Sequence, residues 1–154
     1  YDPRLSDDPD IDYSNSFNCL GVAYWKGSDG KGRIFLATND HKLIQALISF
    51  PTANDASTLV MGQVDRWREC NYKDLSITIN NKVDHITAGV VADHGDGTYS
   101  MLMFPPKDAS AHQCERALTA RGNVVVDVRA CTSSVGSLGY TIARDIGQKI
   151  TGQR

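Results

Sequence analysis

The sequence predicts an α+β domain in which an antiparallel sheet, made of a meander plus a disulfide-closed hairpin, is flanked by two or more helices. Three observations carry this reading. Segments that alternate apolar and polar residues follow one another across short turns, as antiparallel strands do. Two longer stretches, after Pro51 and after Ser134, place apolar residues at helical spacing instead. Helices and strands do not alternate one for one, as a parallel βαβ sheet requires. A chain of 154 residues is also the size at which one domain can build one continuous core.

Residues 1–18 hold Asp2, Asp7, Asp8, Asp10 and Asp12 with Pro3 and Pro9, without sustained periodicity, and read as an acidic linker or extended arm. A single domain then spans 19–154. Tyr24 and Trp25 precede a polar glycine-bearing turn from Lys26 to Gly32, and Arg33–Ala37 and Leu43–Phe50 read as strands, the second with Ile44, Ala46, Ile48 and Phe50 on one face. Thr52 is placed to cap a helix that runs to about Glu69, with Asp55 in the capping-box position and Ala56, Val60, Val64 and Trp67 at helical spacing. Gly62 lowers helix propensity by roughly 1 kcal/mol relative to alanine, so it is expected to mark close packing on a strand. Leu75–Asn80, His85–Ala92 and Tyr99–Phe104 form the meander, turning at Asn81-Lys82 and between Asp93 and Thr98, where His94 reads as a turn residue. Gln113–Ala120 and Val124–Ala130 make the last hairpin, and a final helix begins near Ser134 with Leu138, Ile142, Ile146 and Ile150 on one apolar stripe.

The cysteines are Cys19, Cys70, Cys114 and Cys131, with no Cys-x-x-Cys spacing and no neighbouring histidine pair, which argues against structural zinc and a dithiol redox site. The last hairpin selects one of the three pairings. With Gly122 and Asn123 at the centre of a type II′ turn, Arg121 faces Val124, and seven steps outward Cys114 faces Cys131. An odd number of steps from a hydrogen-bonded pair ends on a non-hydrogen-bonded pair, where the Cα atoms come closest and a disulfide fits. By elimination Cys19 pairs with Cys70. The two closures stabilise by about 3 and 4 kcal/mol in the loop-entropy picture, and they place the chain in an oxidising compartment.

A net charge of −2 with scattered basic residues offers no footprint for nucleic acid. No apolar run reaches the length of a membrane span, and the acidic opening is unlike a signal peptide, so membrane attachment is expected only through segments outside this chain. The start at Tyr1 and the tail Gly152-Gln153-Arg154 read as a piece trimmed from something longer. No Gly-x-Ser-x-Gly, His-Glu-x-x-His or Gly-x-x-x-x-Gly-Lys occurs. Asp108, Ser110 and His112 crowd too closely in sequence for a catalytic set, and His41, His85, His94 and His112 are far apart. No catalytic residue, metal ligand or cofactor is assigned.

Four motifs bring a resemblance with them: Phe50-Pro51-Thr52-Ala53 opening the first helix, Trp67-Arg68-Glu69-Cys70 closing it, Cys114-Glu115-Arg116-Ala117 starting the hairpin, and Asn123-Val124-Val125-Val126-Asp127-Val128-Arg129-Ala130-Cys131 ending it. In order and spacing the chain resembles the PknH-like extracellular sensor domains of mycobacterial receptor serine/threonine kinases and related exported lipoproteins. The motifs cover roughly the last two-thirds of the chain, and Asn18 to His41 matches the pattern less closely. The resemblance implies an antiparallel sheet with flanking helices, a groove for an external ligand, and the pairs Cys19–Cys70 and Cys114–Cys131.

Within the hairpin, Ala117, Val126 and Val128 share a face that should pack on the core, while Arg116, Leu118, Asp127 and Arg129 share the other. Arg116 and Arg129 stand directly opposed, which is unfavourable unless an anion lies beside them. Asp127, a diagonal neighbour, is one such anion and makes the face internally paired; a ligand carboxylate or phosphate is the other. Tyr24 and Trp25 offer an aromatic platform for a sugar or lipid-linked ligand, against plain packing near Cys19. Tyr99, Met101 and Met103 offer an adaptable pocket wall, against core. The expectation is a sensor domain, not an enzyme, tethered on the extracellular or periplasmic side and binding an unknown small-molecule, glycan or lipid envelope ligand. The alternatives are an exported lipoprotein scaffold that self-associates as a homodimer, and a small envelope hydrolase.

Overall fold

The computed structural model describes residues 11–12, 33–37, 41–79, 81–105 and 113–152. In chain order their elements are β1 (Ile11–Asp12), β2 (Arg33–Ala37), β3 (His41–Ser49), helix α1 (Ala53–Glu69), β4 (Asp74–Ile79), β5 (Lys82–Asp93), β6 (Thr98–Phe104), β7 (Gln113–Arg121), β8 (Val124–Thr132) and helix α2 (Leu138–Thr151). The strands form one sheet in the order β1-β4-β5-β6-β7-β8-β3-β2, antiparallel at each pairing. Strands adjacent in sequence pair from β4 to β8, and β3 closes the longer-range contact by laying its full length along β8.

Helix α1 begins where its cap dictates. Thr52 is extended and its side-chain oxygen accepts the Asp55 N–H at 3.0 Å, and Ala56, Val60, Val64 and Trp67 are buried. Their partners are Ala46, Ile48 and Phe50 of β3 and its continuation, Met101 and Met103 of β6, Leu118 of β7 and Val125 of β8. A second, smaller cluster lies on the opposite face, where Ala117, Val126 and Val128 meet Ala143 of α2. The central strands are therefore covered on both sides.

Four sequence expectations change. Gly62 does not pack closely, because a Cβ there would meet nothing within 4 Å. Gly62→Ala is consequently expected to raise stability by up to about 1 kcal/mol through helix propensity alone, read as a higher denaturation midpoint with unchanged slope. The turn after β4 sits one residue earlier than expected: Lys82 already pairs with Ile79, and Asn81 takes the left-handed φ of 65° that asparagine tolerates. Helix α2 starts at Leu138 instead of near Ser134, since Gly136 at φ 53° breaks the helical path. Finally, the apolar stripe of α2 is not its buried side. Gly139, Ala143 and Gly147 face the sheet, while Ile142 and Ile146 are half-buried and Leu138 and Ile150 stay exposed.

The hairpin register is as the sequence reading requires. Gly122 has a φ of 56°, Arg121 faces Val124, and Cys114 faces Cys131 with their Cα atoms 4.0 Å apart and the disulfide formed. Cys19 lies outside the described residues. Cys70, its expected partner, is buried at the C-cap of α1.

Candidate functional site

Alternate residues of β7 and β8 point to opposite faces, which sets Arg116 and Asp127 against α1 and Glu115 and Arg121 against α2. On the α1 face, Arg116 and Asp127 form a bidentate pair: Arg116 Nε donates to Asp127 Oδ1 at 3.1 Å, and Nη2 to Oδ2 at 2.7 Å. Both are buried, with Arg116 1 % exposed, and the guanidinium lies 5.4 Å from the ring centroid of buried Trp67. Arg129 stands opposite Arg116 and reaches back to Cys114, its Nη2 lying 4.0 Å from Sγ. Asp127 thus pairs with Arg116, and on the face that sequence reasoning offered to a ligand anion this pair is buried under α1. Met101 and Met103 are 1 % exposed in the same core, whereas Tyr99 and Arg129 are half-buried. Tyr24 and Trp25 lie outside the described residues.

The α2 face carries polar residues that sequence reasoning did not assemble. Helix α2 lacks a side-chain cap from Ser137; instead the buried carboxylate of Glu115, on β7, accepts the Tyr140 N–H at 2.6 Å. That contact needs a glycine next door, since a Cβ on Gly139 would sit 2.8 Å from the Glu115 carbonyl oxygen and 2.9 Å from Oε1. Tyr140 in turn donates its hydroxyl to Asp96 Oδ2 at 2.8 Å and stacks on His94, centroids 3.6 Å apart and planes 2° from parallel. His94 Nε2 is hydrogen-bonded to Ser100 Oγ at 2.7 Å, and the Arg144 guanidinium lies 5.5 Å from the Tyr140 ring centroid. His94 is the turn residue expected from the sequence, and it also latches the β5–β6 turn to α2. The signal that could have revealed this was the Gly139, Ala143, Gly147 spacing, one small residue per helical turn. Among the described residues no three His, Cys, Asp or Glu side chains gather as a metal site, and no helix is long and apolar enough to cross a membrane.

The two carboxylates respond oppositely to this setting. Burial pushes Glu115 up, offset only in part by the N–H groups of Tyr140 and Gly139. Burial also pushes Asp96 up, but hydrogen bonds from Tyr140 and Thr98 and the charge of Arg121 together hold it below its ordinary value. Folded Glu115 binds its proton more tightly than the unfolded chain does, so its contribution to stability is present below 4.5 and is lost as pH rises through the raised value. Asp96 contributes above 3.8 and loses that contribution as pH falls through the lowered value. Glu115→Gln keeps an acceptor for Tyr140, so thermal melts should show wild type gaining on this variant as pH drops from neutral to 4.5. Wild type losing ground to the variant on acidification would contradict the assignment.

The family model described as the PknH-like extracellular domain matches residues 12–149. The chain belongs to this family. It is 32 % identical over 109 residues, 71 % of its length, to the serine/threonine-protein kinase PknH of Mycobacterium bovis and to that of Mycobacterium tuberculosis, of which the match covers 17 % and 16 %. The chain thus spans about a sixth of the curated relatives it matches. The crystal structure of the extracellular domain of PknH from Mycobacterium tuberculosis superimposes with a TM-score of 0.85 and 25 % identity, over 99 % of this chain and 84 % of that one. What this PknH-like domain matches is the extracellular region of a kinase, distinct from a catalytic domain.

Proposed function

We propose that this PknH-like domain is the extracytoplasmic sensor module of a transmembrane serine/threonine protein kinase, tethered outside the membrane and reading an envelope ligand. The observation that carries the proposal is the likeness to the PknH extracellular domain over 99 % of the chain. The Cys114–Cys131 disulfide supports an oxidising compartment. A second disulfide, Cys19–Cys70, belongs to the same reading and is supported by the absence of a free cysteine among the described residues. Tyr99 and Arg129, half-buried, and Tyr24 and Trp25 are the sequence-derived ligand candidates to probe first.

Protease shaving of intact cells that express the full-length parent tests the topology. A kinase domain that survives while this domain is cut away is the expected result; protection of this domain would overturn the proposal. A second reading, an exported lipoprotein scaffold, keeps this fold and the Cys114–Cys131 disulfide without a kinase. A lipid-modified cysteine just ahead of Tyr1 in the parent, with no kinase domain, would decide for it.

A further inference from the structure

Several charged groups in the described structure are paired with a neighbour. Arg68 closes on Asp65, Arg116 on Asp127 and Arg144 on Asp145, at 3.2, 2.7 and 3.0 Å. Arg121, at the end of β7, is different. Its Nε is buried without a hydrogen-bond partner. The side chain is held from two directions. Gly147 of α2 makes room for it, since a Cβ there would lie 2.8 Å from Nε, 3.2 Å from Cγ and 3.5 Å from Cδ. On the other side, Gly97 of the β5–β6 turn, at φ 83°, leaves Nη1 3.9 Å from where its Cβ would be. Asp96 lies near enough to feel the Arg121 charge, yet its two oxygens are engaged elsewhere, Oδ1 by the Thr98 N–H at 2.9 Å and Oδ2 by the Tyr140 hydroxyl at 2.8 Å.

A buried donor without an acceptor is destabilising, so the Arg121 Nε calls for a partner that the described residues do not supply. The planar fork of arginine suits two oxygens of one tetrahedral oxyanion, and a seat that already restricts its rotamers lowers the entropy lost on binding. We propose that Arg121, seated between Gly147 of α2 and the Gly97 turn, is the reading group of a site for a phosphate or sulfate group. The inference rests on the sensor reading and names a chemistry for its ligand. It also places the site on the α2 face, away from the Arg116 pair that first suggested anion binding. Binding there bears on α2 and the β5–β6 turn together, the two elements that Tyr140, Asp96 and His94 already join.

The test is a nitrogen-proton NMR titration of this chain with inorganic phosphate, following the Arg121 Nε–H and the backbone amides of Gly97 and Gly147. A parallel arm uses phosphatidylcholine vesicles with and without phosphatidylglycerol, so that a free anion and a lipid headgroup are told apart. Saturating shifts in either arm are expected, weakened about tenfold or more in Arg121→Gln, as losing charge-assisted hydrogen bonds implies. Gly147→Ala keeps the arginine but displaces it, and should weaken the response while the rest of the spectrum stays folded. No shift in either arm, shifts that persist in Arg121→Gln, or an unaltered response in Gly147→Ala would each overturn the site. Those failures leave the sensor reading standing, because it is judged separately by topology and by stabilisation with uncharged envelope components.

Discussion

Arg116→Met is expected to destabilise the domain by about 3–5 kcal/mol, the usual consequence of leaving one member of a buried ion pair behind. Asp127 keeps its 3 % exposure but loses the guanidinium that meets both of its oxygens. Trp67, 0 % exposed, loses the cation over its ring as well. The double variant Arg116→Met with Asp127→Leu should recover most of that loss, because an apolar pair of similar volume removes both desolvated charges at once. Urea denaturation of the two single variants and the double one gives the coupling directly. Purely additive losses would mean that the pair is not the unit holding this face. Since Arg116 and Asp127 lie between the sheet and α1, the same measurement reports whether that helix is docked in solution as described.

Removing the Cys114–Cys131 bridge is the second large effect. In the loop-entropy picture a separation of 17 residues corresponds to about 3 kcal/mol. A Cys114→Ala, Cys131→Ala variant should melt many degrees lower than wild type, a domain of this size losing roughly 2–4 °C for each kcal/mol. Both half-cystines sit on adjacent strands whose ladder survives without the bond, so the far-ultraviolet signal of the folded variant should stay close to wild type. A melting point insensitive to the double substitution would contradict the hairpin's role as a staple.

How far the sequence could be read depended on whether the determining contact was local. The α1 cap, the Gly122 turn and the cysteine register are settled within a few residues or by counting along two strands, and the structure has them as expected. The position of β3 beside β8 was not legible, because no local pattern says which strands meet across most of the chain length. The misread side of α2 has the same cause. Apolar residues predict the buried stripe of a helix only if the sheet beneath offers ordinary spacing. Here Glu115 and Arg121 project towards the helix, and glycines at 139 and 147 are what let it approach them. The two-sided burial of β7 and β8 likewise turned a charged strand face, Arg116 with Asp127, into an interior pair. His94, Asp96 and Tyr140 are separated by up to 46 positions in the chain and meet only because α2 lies over the β5–β6 turn.

The central claim, that this PknH-like domain reads an envelope ligand, is tested most directly by thermal unfolding of the chain against separate cell-envelope glycans, lipids and anionic metabolites. A ligand that binds only the native state stabilises it by about 2.7 kcal/mol at a hundred times its dissociation constant, whatever its chemistry. The expected result is a concentration-dependent rise in melting temperature with at least one component, absent from an unrelated disulfide-bonded domain. A melting temperature unmoved by every component, in a sample whose transition still falls on reduction of the Cys114–Cys131 bridge, would contradict the claim and leave the scaffold reading in its place.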